Sequence, residues 1–201
     1  MLQLFFVEDI SSPTLTGDNA HHAERVLRMS AGEEILVSDG KGAWAKCAIT
    51  AISKKEVTLS VINKGFEASI TNEISVLQAI PKGDRAKESV ELITAAGVTN
   101  IYPWQSARAI GKESDKWQVA AIESSKQSRR FYIPTVSPKL DTASAIELLK
   151  DFNQILICHE SATVQISEVV KPAPKTLIVI GPEGGITDEE LAARSEEHTS
   201  E

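Results

Sequence analysis

Short apolar runs separated by polar turns fill the first part of the chain, and the pattern changes near Phe66–Asn72. Before that change the runs alternate inward and outward positions, which is typical of strands with one buried face. The predicted strands are Leu4–Val7, Ile35–Val37, Trp44–Ile49 and Val57–Val61. Turn residues such as Asp39-Gly40-Lys41-Gly42 join them, so residues 1–70 are expected to form a small, mostly β module that closes as a barrel.

This module also contains one predicted helix, which begins at Asp18 as its N-cap. His21, Arg25 and Arg28 recur along it at spacings of four and three, so we expect them to share one helix face. A basic helix face is either a solvated surface or a binding surface. The spacing alone leaves both interpretations open.

From Asn72 onwards the pattern alternates strands with helices. The predicted strands are Ile74–Ile80, Val98–Tyr102, Phe131–Val136, Ile155–Cys158 and Leu177–Ile180, and the predicted helices begin at Asp84, Ser114, Thr142 and Thr187. This alternation predicts an α/β domain over residues 73–193, with a parallel sheet covered on both faces. In such sheets, ligands bind beside the carboxyl ends of the strands.

A glycine-rich loop follows the last predicted strand. Gly181-Pro182-Glu183-Gly184-Gly185 allows close approach of a ligand, and we expect Gly184 to need a backbone conformation that other residues avoid. Thr187-Asp188-Glu189-Glu190 fits a capping box that opens a helix. The loop lacks the endings of a P-loop and the spacing of a dinucleotide fold. A ligand site and a simple tight turn both remain possible from these residues.

Composition and charge narrow the class of protein. With 201 residues and 42% hydrophobic content, the chain suits one large domain or two small ones. Neither a signal peptide nor a membrane span is indicated, so we expect a cytoplasmic protein. Cys47 and Cys158 are too few for a disulfide framework or a zinc site, and no metal is implied. The net charge of −7 means that any nucleic-acid role must rest on local basic patches.

Five motifs in order resemble one known family. They are His21-His22 with Arg25-Val26-Leu27-Arg28-Met29, then Lys82-Gly83-Asp84-Arg85, then Glu123 with Gln127-Ser128-Arg129, then His159-Glu160, and finally Ile180-Gly181-Pro182-Glu183-Gly184-Gly185. Each motif is weak by itself. Together, from residue 1 to about 193, they resemble the family of ribosomal RNA small subunit methyltransferase E.

The resemblance implies a fold and an activity. It implies a PUA-like RNA-binding barrel followed by a SPOUT-type α/β methyltransferase domain with a trefoil knot. It further implies a homodimer that uses S-adenosyl-L-methionine to methylate nitrogen 3 of a uridine in 16S ribosomal RNA of the small subunit. Leu156, His159 and Glu160 would line one side of the cofactor pocket, and Gly181–Gly185 would contact the cofactor through their backbone.

The end of the chain departs from the family pattern. Members continue with another strand, a Leu-Gly-Pro-Arg-Ile-Leu-Arg loop and a helix that completes pocket and knot. Residues 194–201 instead lack apolar periodicity and resemble the translation of a sequencing-library adapter. We therefore expect a truncated gene product with a non-native tail, an incomplete knot and no activity, and we exclude His198 from any site.

Three hypotheses follow from the sequence. The chain is the ribosomal RNA methyltransferase, or a non-catalytic fragment that keeps only RNA binding, or an α/β enzyme for another nucleotide-like ligand. Predicted RNA contacts are basic residues on a helix face, at a strand end and at a helix end: His21, Arg25, Arg28, Lys82, Arg129 and Arg130. The general base is not assigned. Glu160 and Glu183 are the candidates, but a carboxylate near the cofactor more often binds ribose hydroxyls or the amino group.

Overall fold

The computed structural model describes residues 2–68, 71–112 and 114–197. Within these ranges the chain forms two compact units. Unit 1 holds the described residues up to 68 together with Glu123–Ile133, and unit 2 holds those from 71 to 122 and from 134 onwards. The sequence pattern indicated one boundary near residue 70. It gave no sign that Glu123–Ile133 groups with the first residues of the chain.

Unit 1 is built on one five-stranded sheet. Its elements are β1 (Leu4–Phe6), β2 (Thr14–Thr16), α1 (Gly17–His21), β3 (Glu34–Ser38), β4 (Ala43–Ile52) and β5 (Glu56–Phe66). The strand order is β1-β3-β4-β5-β2, with β1 and β3 parallel and the other pairs antiparallel. No ladder joins β1 to β2 in the described residues, so the sheet is a half-barrel. The predicted barrel closure is therefore incomplete.

From Ala45 to Ile49, every second side chain of β4 points into the core of unit 1. Ala45, Cys47 and Ile49 are buried on one face of the strand and pack against Phe5 and Leu15. Because Cys47 lies in this apolar core, burial raises the pKa of its thiol. The sequence predicts that Cys47 and Cys158 are both small buried apolar residues. This prediction is confirmed for Cys47 and wrong for Cys158, which is exposed.

Glu123–Ile133 is attached to unit 1 at the turn between β3 and β4. The Phe131 ring stacks on Trp44, with ring centroids 5.6 Å apart and planes 16° from parallel. The Phe131 carbonyl accepts hydrogen bonds from the Gly42 amide at 3.1 Å and the Ser38 hydroxyl at 3.0 Å. Gly42 has a φ of +103°, and a β-carbon there would collide with the Tyr132 hydroxyl. A glycine is needed for this close approach.

Unit 2 alternates strands and helices as the sequence predicted. Its elements, in chain order, are β6 (Glu73–Ala79), α2 (Arg85–Ala95), β7 (Asn100–Trp104), α3 (Trp117–Ser128, whose last residues belong to unit 1), β8 (Thr135–Val136), α4 (Thr142–Leu149), β9 (Gln154–Cys158), α5 (Ile166–Val169), β10 (Lys175–Ile180) and α6 (Asp188–Glu197). The five strands are parallel in the order β8-β7-β6-β10-β9.

Helices cover both faces of this sheet. On one face Val76 of β6 packs in a cluster with Val90 of α2 and Trp117 of α3. On the other face the next residue, Leu77, packs with Leu149 of α4. β10 lies between β6 and β9, which confirms that the apolar run Leu177–Ile180 forms an internal strand.

The end of the chain is more regular than its composition indicated. α6 continues to Glu197, beyond the predicted end of native sequence at Ala193, because alanine, arginine and glutamate favour helix. His198 and the three residues after it lie outside the described residues. None of the helices in the described part is long and apolar enough to cross a membrane.

Candidate functional site

Four strands of unit 2 end at nearly the same level. Ile180 of β10 is in register with Cys158 of β9 and with Gln78 of β6, and Gln78 is in register with Pro103 of β7. The loops that follow these strands therefore share the carboxyl edge of the sheet, where α/β folds bind ligands. The sequence singled out only the loops after β9 and β10.

The glycine loop after β10 has a defined turn. The Gly185 amide donates to the Pro182 carbonyl at 2.9 Å, and Gly185 has a φ of +75°. A β-carbon at Gly181 would lie 2.6 Å from Ile186 Cγ1, so this glycine allows close packing. The expected special conformation thus belongs to Gly185. The expectation for Gly184 was wrong, because its φ is not positive.

The predicted capping box is present at the start of α6. The Glu190 amide donates to Thr187 Oγ1 at 3.2 Å, and the Thr187 amide and hydroxyl donate to Glu190 Oε2 at 3.0 and 3.1 Å. Two main-chain donors of the first helical turn are satisfied in this way. The end of the glycine loop is consequently fixed at Thr187.

The loop after β9 borders the glycine loop. A β-carbon added at Gly185 would lie 3.3 Å from Glu160 Oε1, so the carboxylate and the glycine face each other. An open groove of about 670 Å³ runs beside β9, and its lining includes Leu156, His159 and Glu160. Three of the predicted cofactor residues thus share one groove, and one of them meets the glycine loop.

His159 is held by a residue two positions further on. Its Nδ1 lies 2.8 Å from Ser161 Oγ and accepts from the Ser161 amide at 3.3 Å. Because a main-chain N–H can only donate, Nδ1 is an acceptor and the neutral ring carries its proton on Nε2. His159 therefore offers a donor to a ligand in the groove.

Glu183 is tied to the loop after β6. Its Oε1 accepts from the Lys82 amide at 3.3 Å and lies 3.8 Å from Arg85 Nη1. Hydrogen bonds from its own amide and from that of Lys82 lower the pKa of Glu183, and Arg85 adds to the effect. Glu183 is therefore an ionised link between two loops. Lys82 contributes its main-chain amide to this link.

Arg108, in the loop after β7, was missed by the sequence reasoning. Its Nη1 donates to the Gly184 carbonyl at 2.9 Å, and the preceding Ala107 amide donates to Glu190 Oε1 at 2.9 Å. The available signal was its position after a third strand of the same parallel sheet. The glycine loop thus contacts the loops after β6, β7 and β9.

Glu190 receives hydrogen bonds from three elements. Besides those from Ala107 and Thr187, the Thr142 hydroxyl at the start of α4 donates to Oε1 at 3.2 Å. Burial by itself raises the pKa of Glu190, but these hydrogen bonds outweigh burial and lower the pKa. The carboxylate is therefore ionised and joins α4, α6 and the loop after β7.

In unit 1, the predicted basic helix face is not a single α-helical face. After α1 the chain forms a π-helical turn over His22–Val26, and Arg28 follows with a φ of +53°. Because the helical turn ends at Val26 and Arg28 lies beyond it in the left-handed region, the expectation that His21, Arg25 and Arg28 all share one helix face was wrong for Arg28. All three side chains are exposed, and Arg25 Nε lies 3.4 Å from Glu24 Oε2.

Arg129 and Arg130 follow α3 in the segment that belongs to unit 1. Arg129 has a φ of +55°, and its Nε donates to the Leu2 carbonyl at 3.0 Å. Burial lowers the pKa of Arg130, and the nearby Glu67 opposes the shift. Both arginines are half-buried, unlike the exposed Arg25 and Arg28. Part of each side chain therefore serves the fold.

Among the described residues, no group of three or more His, Cys, Asp or Glu side chains is arranged to hold a metal ion. The polar side chains that line the groove include those of Gln154, His159 and Glu160. They lie beside apolar residues such as Leu156, and Glu160 also faces Gly185. This mixture suits a ligand that has both an apolar ring and polar groups.

Comparison with known proteins agrees with this geometry. A family model described as an RNA methyltransferase domain matches residues 68–200, and one described as an RNA methyltransferase PUA domain matches residues 15–62. The chain is 30% identical to ribosomal RNA small subunit methyltransferase E of Mycobacterium bovis, over 94% of this chain and 79% of the relative. Identity to the Bacillus subtilis protein of the same name is also 30%, over 95% and 81%.

Solved structures share the fold. The methyltransferase E from Neisseria gonorrhoeae bound to S-adenosyl methionine has a TM-score of 0.87 at 23% identity, covering 98% of this chain and 86% of that chain. A probable rRNA-methyltransferase from Porphyromonas gingivalis has a TM-score of 0.82 at 24% identity, covering 98% and 87%. On the family model and the curated relatives, the chain belongs to the ribosomal RNA small subunit methyltransferase E family of RNA methyltransferases.

Proposed function

We propose that this protein transfers a methyl group from S-adenosyl-L-methionine to nitrogen 3 of a uridine in 16S ribosomal RNA. Membership of the family supports the reaction class, and the resemblance of the motifs supports the target atom. The observation that carries the proposal is the glycine loop, which is hydrogen-bonded to the loops after β6 and β7 and faces Glu160 of the groove beside β9.

The residues of the groove fit the proposed cofactor. The glycines of Gly181–Gly185 have no side chains to keep a ligand away from the backbone, Leu156 offers an apolar surface for an adenine ring, and His159 offers its Nε2 proton. Glu160 can accept hydrogen bonds from ribose hydroxyls or from an amino group. When bound, S-adenosyl-L-methionine supplies an activated methyl group. The protein's own task is then mainly to hold the two reactants in line.

Proton removal from the uracil nitrogen is the second task. A general base works best when its pKa lies near the working pH, but hydrogen bonds lower the pKa of Glu183. Glu183 is consequently a weak candidate for the base, and we propose that it holds the loop after β6 against the glycine loop. Glu160 faces Gly185 and stays the better placed of the two carboxylates.

We further propose that unit 1 binds the RNA through His21, Arg25 and Arg28 of its first segment and through Arg129 and Arg130 of its second segment. Phosphate contacts from such side chains position a nucleic acid without reading its bases. Lys82 is proposed to add a contact from unit 2. The family resemblance also supports a homodimer that acts in the cytoplasm, and sedimentation of the purified protein tests the dimer.

Calorimetry with S-adenosyl-L-methionine tests the function. This chain is compared with one that carries the family's final strand, loop and helix, because the family resemblance implies that those elements complete the pocket. Binding by both chains supports the methyltransferase, and binding by the extended chain alone supports a fragment that keeps only RNA binding. Binding by neither supports an enzyme for another nucleotide-like ligand. Methyl transfer to small-subunit RNA by this chain would contradict its expected inactivity.

A further inference from the structure

Two consecutive residues of the loop after β7 contact the glycine loop and the helix that follows it. The Ala107 amide donates to Glu190 in the first turn of α6, and Arg108 Nη1 donates to the Gly184 carbonyl, both at 2.9 Å. The side chain of Arg108 also lies along Gly184, since a β-carbon there would be 3.4 Å from Arg108 Cβ. The two loops are thereby joined by main-chain and side-chain contacts.

We infer that Arg108 is a positioning residue that keeps the glycine loop in its cofactor-binding shape. The inference rests on the proposed function, because it assigns the loop to the cofactor. Arg108 acts through the Gly184 carbonyl, which it holds with a charge-assisted hydrogen bond. Such bonds are shorter and stronger than those between neutral groups.

The glycine content of the loop explains why a hydrogen bond that fixes its backbone is useful. Glycine loses more conformational freedom on ordering than any other residue, and three of the five residues from Gly181 to Gly185 are glycine. A loop that is ordered before the ligand arrives spares the ligand that entropic cost. Holding the Gly184 carbonyl fixes the peptide unit that leads into Gly185, whose φ is +75°.

The backbone beside Arg108 is itself anchored. Glu190 accepts from the Ala107 amide and, at the same carboxylate, from Thr142 and Thr187. Arg108 therefore extends from a fixed peptide, and little freedom is lost when its guanidinium bonds to Gly184. Among the described residues, no other hydrogen-bond partner of the Arg108 side chain is found, so the bond to the Gly184 carbonyl is its contribution to the fold.

Arg108→Met removes the donor and keeps most of the side chain length. Arg108 is exposed, so the substitution leaves no cavity, and the free energy of unfolding should fall by no more than the loss of this one surface hydrogen bond. Lys87→Met on α2 is the matched control, because it removes one positive charge from an exposed helix of the same unit. Arg108→Lys restores the charge and a donor, and should recover part of any loss.

The first measurement is amide hydrogen exchange of Gly185 and Thr187, whose N–H groups are bonded within the loop and its helix cap. Exchange at both should be faster in Arg108→Met and unchanged in Lys87→Met. The second measurement is the dissociation constant of S-adenosyl-L-methionine for the C-terminally extended chain, which should rise roughly tenfold in Arg108→Met, the equivalent of one such hydrogen bond.

The outcomes separate the inference from the proposed function. If the unsubstituted extended chain does not bind S-adenosyl-L-methionine, the proposed function fails, while the exchange rates still decide whether Arg108 orders the loop. Unchanged exchange at Gly185 and Thr187 in Arg108→Met overturns the inference. So does faster exchange accompanied by an unchanged dissociation constant.

Discussion

Substitution of Gly185 is the sharpest test of how the glycine loop is built. Its φ of +75° lies in the left-handed region, and a side chain costs roughly 1–2 kcal/mol there. The added β-carbon would also meet the Glu160 carboxylate at 3.3 Å. Gly185→Ala should therefore lower the free energy of unfolding of unit 2 by about 1–2 kcal/mol, a factor of roughly 5–30 in the folding equilibrium.

Gly184→Ala is the matched control. Gly184 does not have a positive φ, and its added β-carbon would make an ordinary contact of 3.4 Å with Arg108. Alanine at such a position restricts the unfolded chain, so the change should be neutral or stabilise by up to about 1 kcal/mol. Asparagine tolerates the left-handed region better than alanine does, so Gly185→Asn should cost less than Gly185→Ala.

Native-state hydrogen exchange of the β10 amides measures these effects on unit 2 alone. β10 lies between β6 and β9 and leads directly into the loop, so its most protected amides report the opening of the sheet. The expected order of stability is Gly184→Ala, then Gly185→Asn, then Gly185→Ala. A loss in Gly184→Ala as large as that in Gly185→Ala would refute the assignment of the special backbone position.

Two further predictions concern other parts of the chain. Replacing Arg25 and Arg28 with alanine should lower the slope of log affinity for small-subunit RNA against log salt concentration by about one unit for each arginine that binds a phosphate. The control is the double alanine variant of Lys54 and Lys55, which lie in the turn between β4 and β5. Equal slopes in the two double variants would mean that the arginines are only solvated. Asp141 caps α4 by accepting from the Ser144 amide at 2.8 Å, and the bonds to Ser144 lower the pKa of its carboxyl below the ordinary 3.8. The stability that this cap contributes is present above pH 3.8 and is lost as the pH falls through the folded-state pKa. Asparagine also caps well, so in Asp141→Asn the protection of the α4 amides against hydrogen exchange should fall less steeply as the pH is lowered. An unchanged loss of protection at low pH would show that Asp141 does not cause it.

The sequence located the regular elements of the fold better than its irregular ones. Apolar β-branched runs identified β9 and β10, and Thr187 with Glu190 identified the start of α6, because each signal lies within a few neighbouring residues. The π-helical turn at His22–Val26 has no such local signal. Ala20, shortly before the turn, and Ala23, within it, are both fully buried in the core of unit 1.

The grouping of Glu123–Ile133 with unit 1 also could not be predicted from the sequence. The carbonyl of Phe131 accepts from Gly42 and Ser38, and its ring packs on Trp44. These partners lie about 90 residues earlier in the chain. A helix end and an extended stretch were predictable there, but a pairing across such a distance leaves no period in the sequence.

The candidate site repeats this contrast between local and distant signals. Gly181–Gly185 stand out because several glycines occur together, whereas Arg108 is found only through its partner, the Gly184 carbonyl, 76 residues away. Likewise Glu183 meets the Lys82 amide, 101 residues away. In both pairs one member is a main-chain group, which any residue type supplies and which therefore leaves no mark in the sequence. Only the side-chain member is constrained, so substitutions at Arg108 and Glu183 should alter these links, whereas substitutions at Lys82 should retain its amide contact.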